Sequence, residues 1–292
     1  MRVMLIGAGG QLGGDLQKSF PAGVCVPLTH ADIEITEPES VRQAFERHQP
    51  DVVINTAAFH RVDDCETQAE RAFQVNTLAV RGLAQACGRT GATLVHFSTD
   101  YVFDGAQTEP YVETDRPGPL SVYAASKLAG EYLAATHPRH FVIRTCGLFG
   151  LGGSRSKGGN FVETMLRAAA QGKTLRVVSD QVVTPTSTAE LARKVTELIG
   201  TGAYGLYHIT AHGSCSWFEF ARAIFELEGV RADLLPTTSE AFGAPARRPL
   251  YSVLRNRRLE ALGFDNLAPW HDGLERYLAE RRKTSPGSAP AA

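Results

Sequence analysis

In the stretch SVYAASKLAGEYL, Ser121 to Leu133, a tyrosine stands four residues ahead of a lysine within a pattern that reads as an amphipathic helix. Positions i and i+4 are neighbours on a helix surface, so Tyr123 and Lys127 face the same space. A nearby ammonium favours phenolate, and each unit taken off the phenol's usual pKa of about 10 is worth roughly 1.4 kcal/mol. The pair therefore predicts a tyrosine that exchanges protons with a substrate. The same spacing also fits an exposed helix whose tyrosine ring packs on a lysine stem, so the rest of the chain must decide.

A second chemical feature is GAGGQLG, directly after the first apolar run. The dinucleotide spacing with glycines at 7, 9 and 12 fails, because position 12 is Leu; the spacing that fits is Gly7, Gly10 and Gly13. Glycines there allow a tight strand-to-helix turn and a close approach of backbone to pyrophosphate, with the phosphates at the positive helix N-terminus. The end of the second strand, where a carboxylate would bind a ribose 2′-hydroxyl, reads Leu28, Thr29, His30. The missing carboxylate points to NADPH, while Asp32 and Glu34, close by in the chain, leave NADH open. Glu34 and Ile35 are expected beside the adenine.

These residues need a scaffold, and the sequence supplies an α/β one. Short apolar runs at 3 to 6, 24 to 28, 51 to 57, 92 to 99 and 140 to 145 alternate with helical patterns, which predicts βαβ units and a doubly wound parallel sheet of the Rossmann type. In TEPE, Thr36 and Glu39 read as a capping box that opens a helix through SVRQAFERHQ. The second half is less regular: a glycine-rich break at 151 to 160, a helix FVETMLRAAAQ, a strand LRVVSD, and helices near 188 to 199, 216 to 228 and 272 to 283. The expected division is a nucleotide-binding domain over 1–148, with the strand and helix near 175–200 returning to it. A smaller substrate lobe would cover 149–284, and a disordered tail 285–292.

Composition sets outer bounds. Of 292 residues 43% are hydrophobic and 21% charged, with a formal net charge of −1, which argues against a polyanion partner such as nucleic acid. The five cysteines are scattered without Cys-x-x-Cys spacing, as reduced thiols would be. No run approaches the length of a membrane span, and the opening MRVMLIGAGG is too short for a signal peptide. A cytoplasmic protein is expected.

GAGGQLG, NTAA (Asn55 to Ala58), STDYVFDG (Ser98 to Gly105) and YAASK (Tyr123 to Lys127) occur in that order. Together they resemble the extended short-chain dehydrogenase/reductase family, and within it the dTDP-4-dehydrorhamnose reductases. VDDCE, PLSVYAASKLAGE, GGNFVETMLR, DQVVTPTST and ARRPLYSVL extend the likeness over almost the whole chain. The resemblance implies NADPH-dependent reduction of the 4-keto group of dTDP-4-dehydro-6-deoxy-L-mannose to dTDP-L-rhamnose.

Carried over residue by residue, the family's catalytic triad falls on Thr99, Tyr123 and Lys127: Thr99 to polarise the ketone, Tyr123 to donate the proton, Lys127 to lower the phenol's pKa and hold the nicotinamide ribose. Cofactor contacts fall on Gly7, Gly10, Gln11, Leu12, Gly13, Thr29, His30, Glu34, Ile35, Ala57, Ala58 and Asn76, besides Tyr123 and Lys127. Substrate contacts fall on Thr99, Asp100, Tyr101, Asn160, Phe161 and Arg248, with Asp180, Gln181, Pro185 and Thr186 near the nucleotide. Arg247 and Arg248 are suited to a diphosphate, since a guanidinium engages two oxygens at once. Related sugar-nucleotide dehydratases resemble Thr-Asp-Glu after the fourth strand; here Tyr101 replaces the Glu, which favours simple reduction over elimination. Asp100 itself suits either a sugar hydroxyl or a loop amide.

Many of these reductases resemble Arg-Thr-Ser-Trp after the fifth strand, where this chain has Arg144, Thr145, Cys146, Gly147. The lost aromatic wall keeps open a reductase of another nucleotide-4-keto sugar. A third reading is a non-catalytic NADP-binding regulatory subunit resembling the methionine adenosyltransferase β subunit. Some family members bind Mg²⁺ between subunits, and Asp15 and Glu190 stand at matching positions; helix-face acids are usually solvated, so no metal is assigned. A nucleotide-diphospho sugar is the expected partner, a homodimer is left open, and no membrane partner is expected.

Overall fold

The computed structural model describes residues 1–152 and 159–284. Most of the expected glycine-rich break, and the tail 285–292, lie outside the described residues. The first half runs β1 (Val3–Ile6), α1 (Gln11–Ser19), β2 (Cys25–Leu28), α2 (Pro38–His48), β3 (Val52–Asn55), α3 (Val62–Thr67) and α4 (Ala69–Phe73). It continues with a π-helical turn Gln74–Leu78, α5 (Ala79–Thr90), β4 (Thr93–Thr99), a 3₁₀ turn Asp100–Val102, α6 (Val122–Ala134) and β5 (His140–Thr145). Beyond it come β6 (Leu148–Phe149), α7 (Phe161–Ala170), β7 (Leu175–Val178), β8 (Val182–Val183), β9 (Thr186–Ser187) and α8 (Thr188–Ile199). The last elements are β10 (Gly205–His208), β11 (Cys215–Ser216), α9 (Trp217–Glu228), β12 (Leu234–Thr237), α10 (Ser239–Phe242), α11 (Arg257–Ala261) and α12 (Trp270–Thr284).

The main sheet is parallel throughout, in the order β10-β5-β4-β3-β1-β2. Its central strands β1, β3 and β4 are buried along their whole length, which is why they are uninterrupted apolar runs. Alternate residues feed two cores: Val3, Leu5, Val95 and Ile143 meet Leu12 and Leu16 of α1 and Leu191 and Val195 of α8, while Met4, Ile6, Val53 and Leu94 meet Phe45 of α2 and Leu83 of α5. Strand order reverses at β1, so the crevice between the ends of β1 and β3 is where an open sheet of this kind takes a ligand. Both GAGGQLG and NTAA open there.

A third core joins Phe149, Val162, Phe220, Ile224, Leu274 and Leu278 from β6, α7, α9 and α12. Two details differ from the sequence expectations. The strand near 175 does not enter the main sheet; β7 pairs with β12, and its alternating burial suits a strand covered on one face. The helix at 188–199 does pack on α1, and β10 closes the sheet. The capping box at Thr36 is not formed either, because Glu34 takes both the Thr36 N–H (3.0 Å) and its hydroxyl (2.7 Å), and α2 starts with Pro38 after Glu37. A complete box is found instead at Ser216 and Glu219, where it opens α9. Among the described residues no helix is long and apolar enough to cross a membrane.

Candidate active site

Thr99 is the last residue of β4, and the 3₁₀ turn that follows projects Asp100 and Tyr101 over the sheet's C-terminal edge. Opposite it, Ser121 caps α6 by accepting from the Ala124 N–H (3.2 Å), which puts Tyr123 in the first helical turn and Lys127 one turn later. The Thr99 hydroxyl accepts from the Tyr101 N–H (3.2 Å), donates to Asp100 Oδ1 (3.0 Å) and is hydrogen-bonded to the Tyr123 phenol. A hydroxyl has one proton, so the Asp100 carboxylate and the Tyr123 phenol oxygen are alternative acceptors for it. The rings of Tyr101 and Tyr123 stand edge to face at 6.2 Å.

The electrostatics correct one expectation. Burial pushes the Tyr123 phenol above its ordinary range, the Asp100 carboxylate adds to the rise, and the Thr99 hydrogen bond opposes it. Lys127 does not acidify the phenol here, because its Nζ lies beneath β4, donating to the Phe97 carbonyl (2.6 Å) and facing His96 Nε2 (3.5 Å). Burial lowers Lys127 to about 8, with Glu131 acting in the opposite sense.

Asp100 is buried, and its carboxylate is engaged by three side chains. Its carboxylate accepts from Thr99, from the Cys146 thiol (3.0 Å) at the end of β5, and from the Ser252 hydroxyl (2.5 Å). Burial raises its pKa against these three hydrogen bonds. Ser252 belongs to a segment that runs beside β8, its N–H donating to the Val182 carbonyl (3.0 Å). One carboxylate thus joins two strand ends of the main sheet to the chain of the second lobe.

Arg248, from the same segment, pairs with Asp63 of α3 at 2.9 Å, donates to the Ala246 carbonyl and is hydrogen-bonded to Tyr101. The Ala246 N–H also reaches Asp63 (3.1 Å). Arg247, its exposed neighbour, points to solvent-facing surface. Gly147 has φ +55°, and a Cβ there would lie 3.1 Å from the Pro185 Cα, so the segment after β5 packs directly on DQVVTPT.

The glycine turn is shaped as a cradle. Gly7 has φ +82°, and a Cβ on it would come within 2.5 Å of Thr56 Oγ1; a Cβ on Gly13 would come within 2.4 Å of the Gly7 carbonyl oxygen. Gly10 is the extended residue that starts α1. Gln11, at the head of that helix, keeps a buried Oε1 with no protein partner among the described residues. Ala57 and Ala58 follow β3 across the crevice. These features fit a dinucleotide: a turn that tolerates no side chain, at a helix N-terminus, beside an unsatisfied acceptor. Leu12 and Ile35 are in the two sheet cores. At the end of β2 the nearby acids turn inward: Asp32 takes the N–H and hydroxyl of Thr29 (2.8 and 2.7 Å), while Glu34 takes Thr36 and faces His30 (3.3 Å).

Other expected contacts are placed as internal braces. Asn76 is buried and bonds both backbone groups of Phe59 and the Ser126 hydroxyl. Asn160 caps α7 and donates to the Gly150 carbonyl and the Tyr277 hydroxyl, and Phe161 stacks on Phe220 at 5.5 Å. Asp180 and Gln181 hold Ser239 at the start of α10, and Thr186 bonds the Thr184 carbonyl. Asp15 takes Lys18 (3.3 Å) and Thr188 (2.5 Å), Glu190 pairs with Arg276, and among the described residues no three acidic, His or Cys side chains are grouped to hold a metal ion. Sequence reasoning missed Cys146, Ser252 and Asp63 as partners of the site; each lies far along the chain from the residue it touches, and no short-range spacing marks it.

A family model described as the RmlD substrate binding domain matches residues 1–283. The spore coat polysaccharide biosynthesis protein SpsK of Bacillus subtilis is 42% identical over 283 residues, covering 96% of this chain and 98% of that protein. The dTDP-4-dehydrorhamnose reductase of Salmonella typhimurium is 35% identical over 305 residues, covering 98% of this chain and 99% of that enzyme. Among solved structures, a dTDP-4-dehydrorhamnose reductase from Clostridium acetobutylicum superposes with a TM-score of 0.91 at 41% identity, covering 96% of this chain and 99% of that one. One from Bacillus anthracis, in complex with NADP, gives 0.91 at 39% identity with the same coverage.

Proposed function

The chain belongs to the RmlD substrate binding domain family, and from that premise we propose how its residues carry out the family's chemistry. The protein is an NADP-dependent oxidoreductase that reduces the 4-keto group of dTDP-4-dehydro-6-deoxy-L-mannose to give dTDP-L-rhamnose. The observation that carries the residue-level reading is the meeting of Thr99, Tyr123 and Asp100 at the end of β4, one helical turn from Lys127.

When bound in the cradle of Gly7, Gly10 and Gly13, the reduced nicotinamide supplies the hydride. Tyr123 donates its phenolic proton to the oxygen at C4 as that oxygen becomes an alkoxide, so the C=O becomes CH–OH and the proton comes from Oη. Its raised pKa keeps the phenol protonated at neutral pH, the form a proton donor needs. Asp100 anchors Thr99 beside the phenol, from where the Thr99 hydroxyl polarises the C4 ketone. Lys127 acts at the ribose side of the same helix, and its lowered pKa of about 8 lets it exchange a proton closer to neutral pH than an ordinary lysine would. Tyr101 and Arg248 border the sugar and diphosphate; for Arg248 to engage the diphosphate it must exchange Asp63 for phosphate oxygens. The third core, from β6, α7, α9 and α12, would form the base of the sugar-nucleotide lobe.

NADPH is the preferred reductant on this reading, because the end of β2 offers Thr29 and His30 rather than a carboxylate, and Asp32 and Glu34 bind Thr29 and Thr36 instead of being offered to a ribose 2′-hydroxyl. A second substrate is favoured by a specific observation: Gly147 stands where an aromatic wall would be. A Streptomyces antibioticus relative, 36% identical, is named as a probable 4-ketoreductase of a different dTDP sugar. The test is NADPH oxidation followed at equal concentrations of dTDP-4-dehydro-6-deoxy-L-mannose and of other dTDP-4-keto sugars. The highest kcat/KM is expected for the first; a higher value for another sugar overturns the substrate assignment, and no oxidation with any of them overturns the enzyme.

A further inference from the structure

Beneath the active-site helix lies a line of polar side chains that neither the cofactor cradle nor the proton donor uses. Asn55 and His96 are register partners on β3 and β4, and both are buried on the face that α6 covers. The Ala57 N–H donates to Asn55 Oδ1 (3.1 Å), which fixes the amide: the flipped orientation would set donor against donor. The Asn55 amide nitrogen therefore points at His96 Nδ1 (3.4 Å), and that ring nitrogen must be bare to accept. Burial and the neighbouring Lys127 hold His96 well below its ordinary pKa, so the ring is neutral and carries one N–H. That N–H is on Nε2, which lies 3.5 Å from Lys127 Nζ.

Two donors cannot satisfy each other. An ammonium at Lys127 would face an N–H, whereas a neutral amine presents a lone pair to it and still donates to the Phe97 carbonyl at 2.6 Å. The groups that reach Lys127 electrostatically are His96 on β4 and Glu131 on its own helix. Glu131, which would favour the ammonium, is already engaged by Nε and Nη2 of the Arg144 guanidinium from β5 (2.9 and 2.7 Å) and by the Ser98 hydroxyl (2.5 Å).

We propose that His96 is a positioning residue for the reductase: oriented by Asn55, it presents Nε2–H to Lys127 and favours that residue's neutral amine. The NTAA loop, through the Ala57 N–H, then sets the proton inventory of a residue on the opposite side of β4. The state of Lys127 decides whether it carries a proton to return to the site, so the line should govern the pH at which the site works.

The first test is the tautomer itself, read by long-range ¹H–¹⁵N correlation NMR on histidine-labelled protein, with His96 assigned from ring contacts to Asn55 and Lys127. A protonated Nε2 and a bare Nδ1 are expected; a proton on Nδ1 overturns the proposal. In Asn55→Asp the new carboxylate takes the ring proton at Nδ1 and leaves Nε2 bare for an ammonium. The kcat/KM limb belonging to Lys127 should then move up by about one pH unit, the size of a typical single-partner effect. A limb that stays in place while the rate falls marks a merely structural role and overturns the proposal. Should the variant not fold, the wild-type tautomer still decides. The pH limb rests on the reductase reading above and the tautomer does not, so failure of one is distinguishable from failure of the other.

Discussion

The crevice at Gly7 and the corner at Asp100 are both parts of one candidate site, yet they are built from opposite materials. The first is made by the backbone: glycines whose missing Cβ atoms leave room, at the start of a helix, with the nearest acids folded back on their own loop. The second is made by buried polar side chains from distant segments, Thr99, Cys146 and Ser252, converging on one carboxylate. A backbone site is robust to its surroundings and sensitive to any added atom. A side-chain corner is sensitive to the loss of a partner, since a buried polar group left alone forfeits its hydrogen bond and keeps its desolvation cost.

The contrast can be broken by substitution. The largest effect is expected behind the corner, where Glu131→Gln leaves Arg144 buried without its charge partner; unfolding in urea should show a loss of about 3–5 kcal/mol. A loss below about 1 kcal/mol, as for a surface pair, would show that the corner is not held this way. Next comes Lys127→Met. Because the folded pKa of Lys127 lies below the unfolded value, the folded protein sheds this proton between about pH 8 and pH 10.5 while the unfolded chain retains it. Stability from this group therefore rises with pH through that window, by on the order of 3 kcal/mol. The Met variant should lack that slope and be the more stable protein at neutral pH, while losing turnover; pH-dependent denaturation of the two proteins measures the difference. Gly13→Ala probes the cradle: its Cβ must displace the Gly7 carbonyl, and NADPH fluorescence titration should show Kd raised about tenfold. The smallest change is expected from Asp63→Asn, which releases a partly exposed pair and should shift stability by less than about 1 kcal/mol. Its effect should appear instead in KM for the sugar nucleotide, with Arg248 freed.

The same contrast explains what the sequence could disclose. Buried parallel strands are apolar runs, and a glycine turn is three glycines at a fixed spacing, so the sheet and the cradle were legible within a few residues of their true bounds. Tyr123 and Lys127 were legible because a helix converts spacing into direction. Their electrostatics were not: the i+4 rule brings Lys127 to the same helix face, but the carbonyl of Phe97 and the ring of His96, both from β4, claim its amine. Nor could chain order reveal that Asp100 meets Ser252, or that Asn76 and Asn160 brace the loops around them. The capping box failed for a local reason, the carboxylate of Glu34 two residues before Thr36. The strand near 175 was found, but its partner depended on which face the second lobe covers.

The central claim is that the Tyr123 phenol is the proton source for ketone reduction. It is tested most directly by single-turnover NADPH oxidation with dTDP-4-dehydro-6-deoxy-L-mannose, comparing wild type with Tyr123→Phe. Loss of about 10²–10⁴-fold in rate is predicted, the range for a positioned general acid, with NADPH affinity retained. A phenylalanine variant that turns over at the wild-type rate would contradict it.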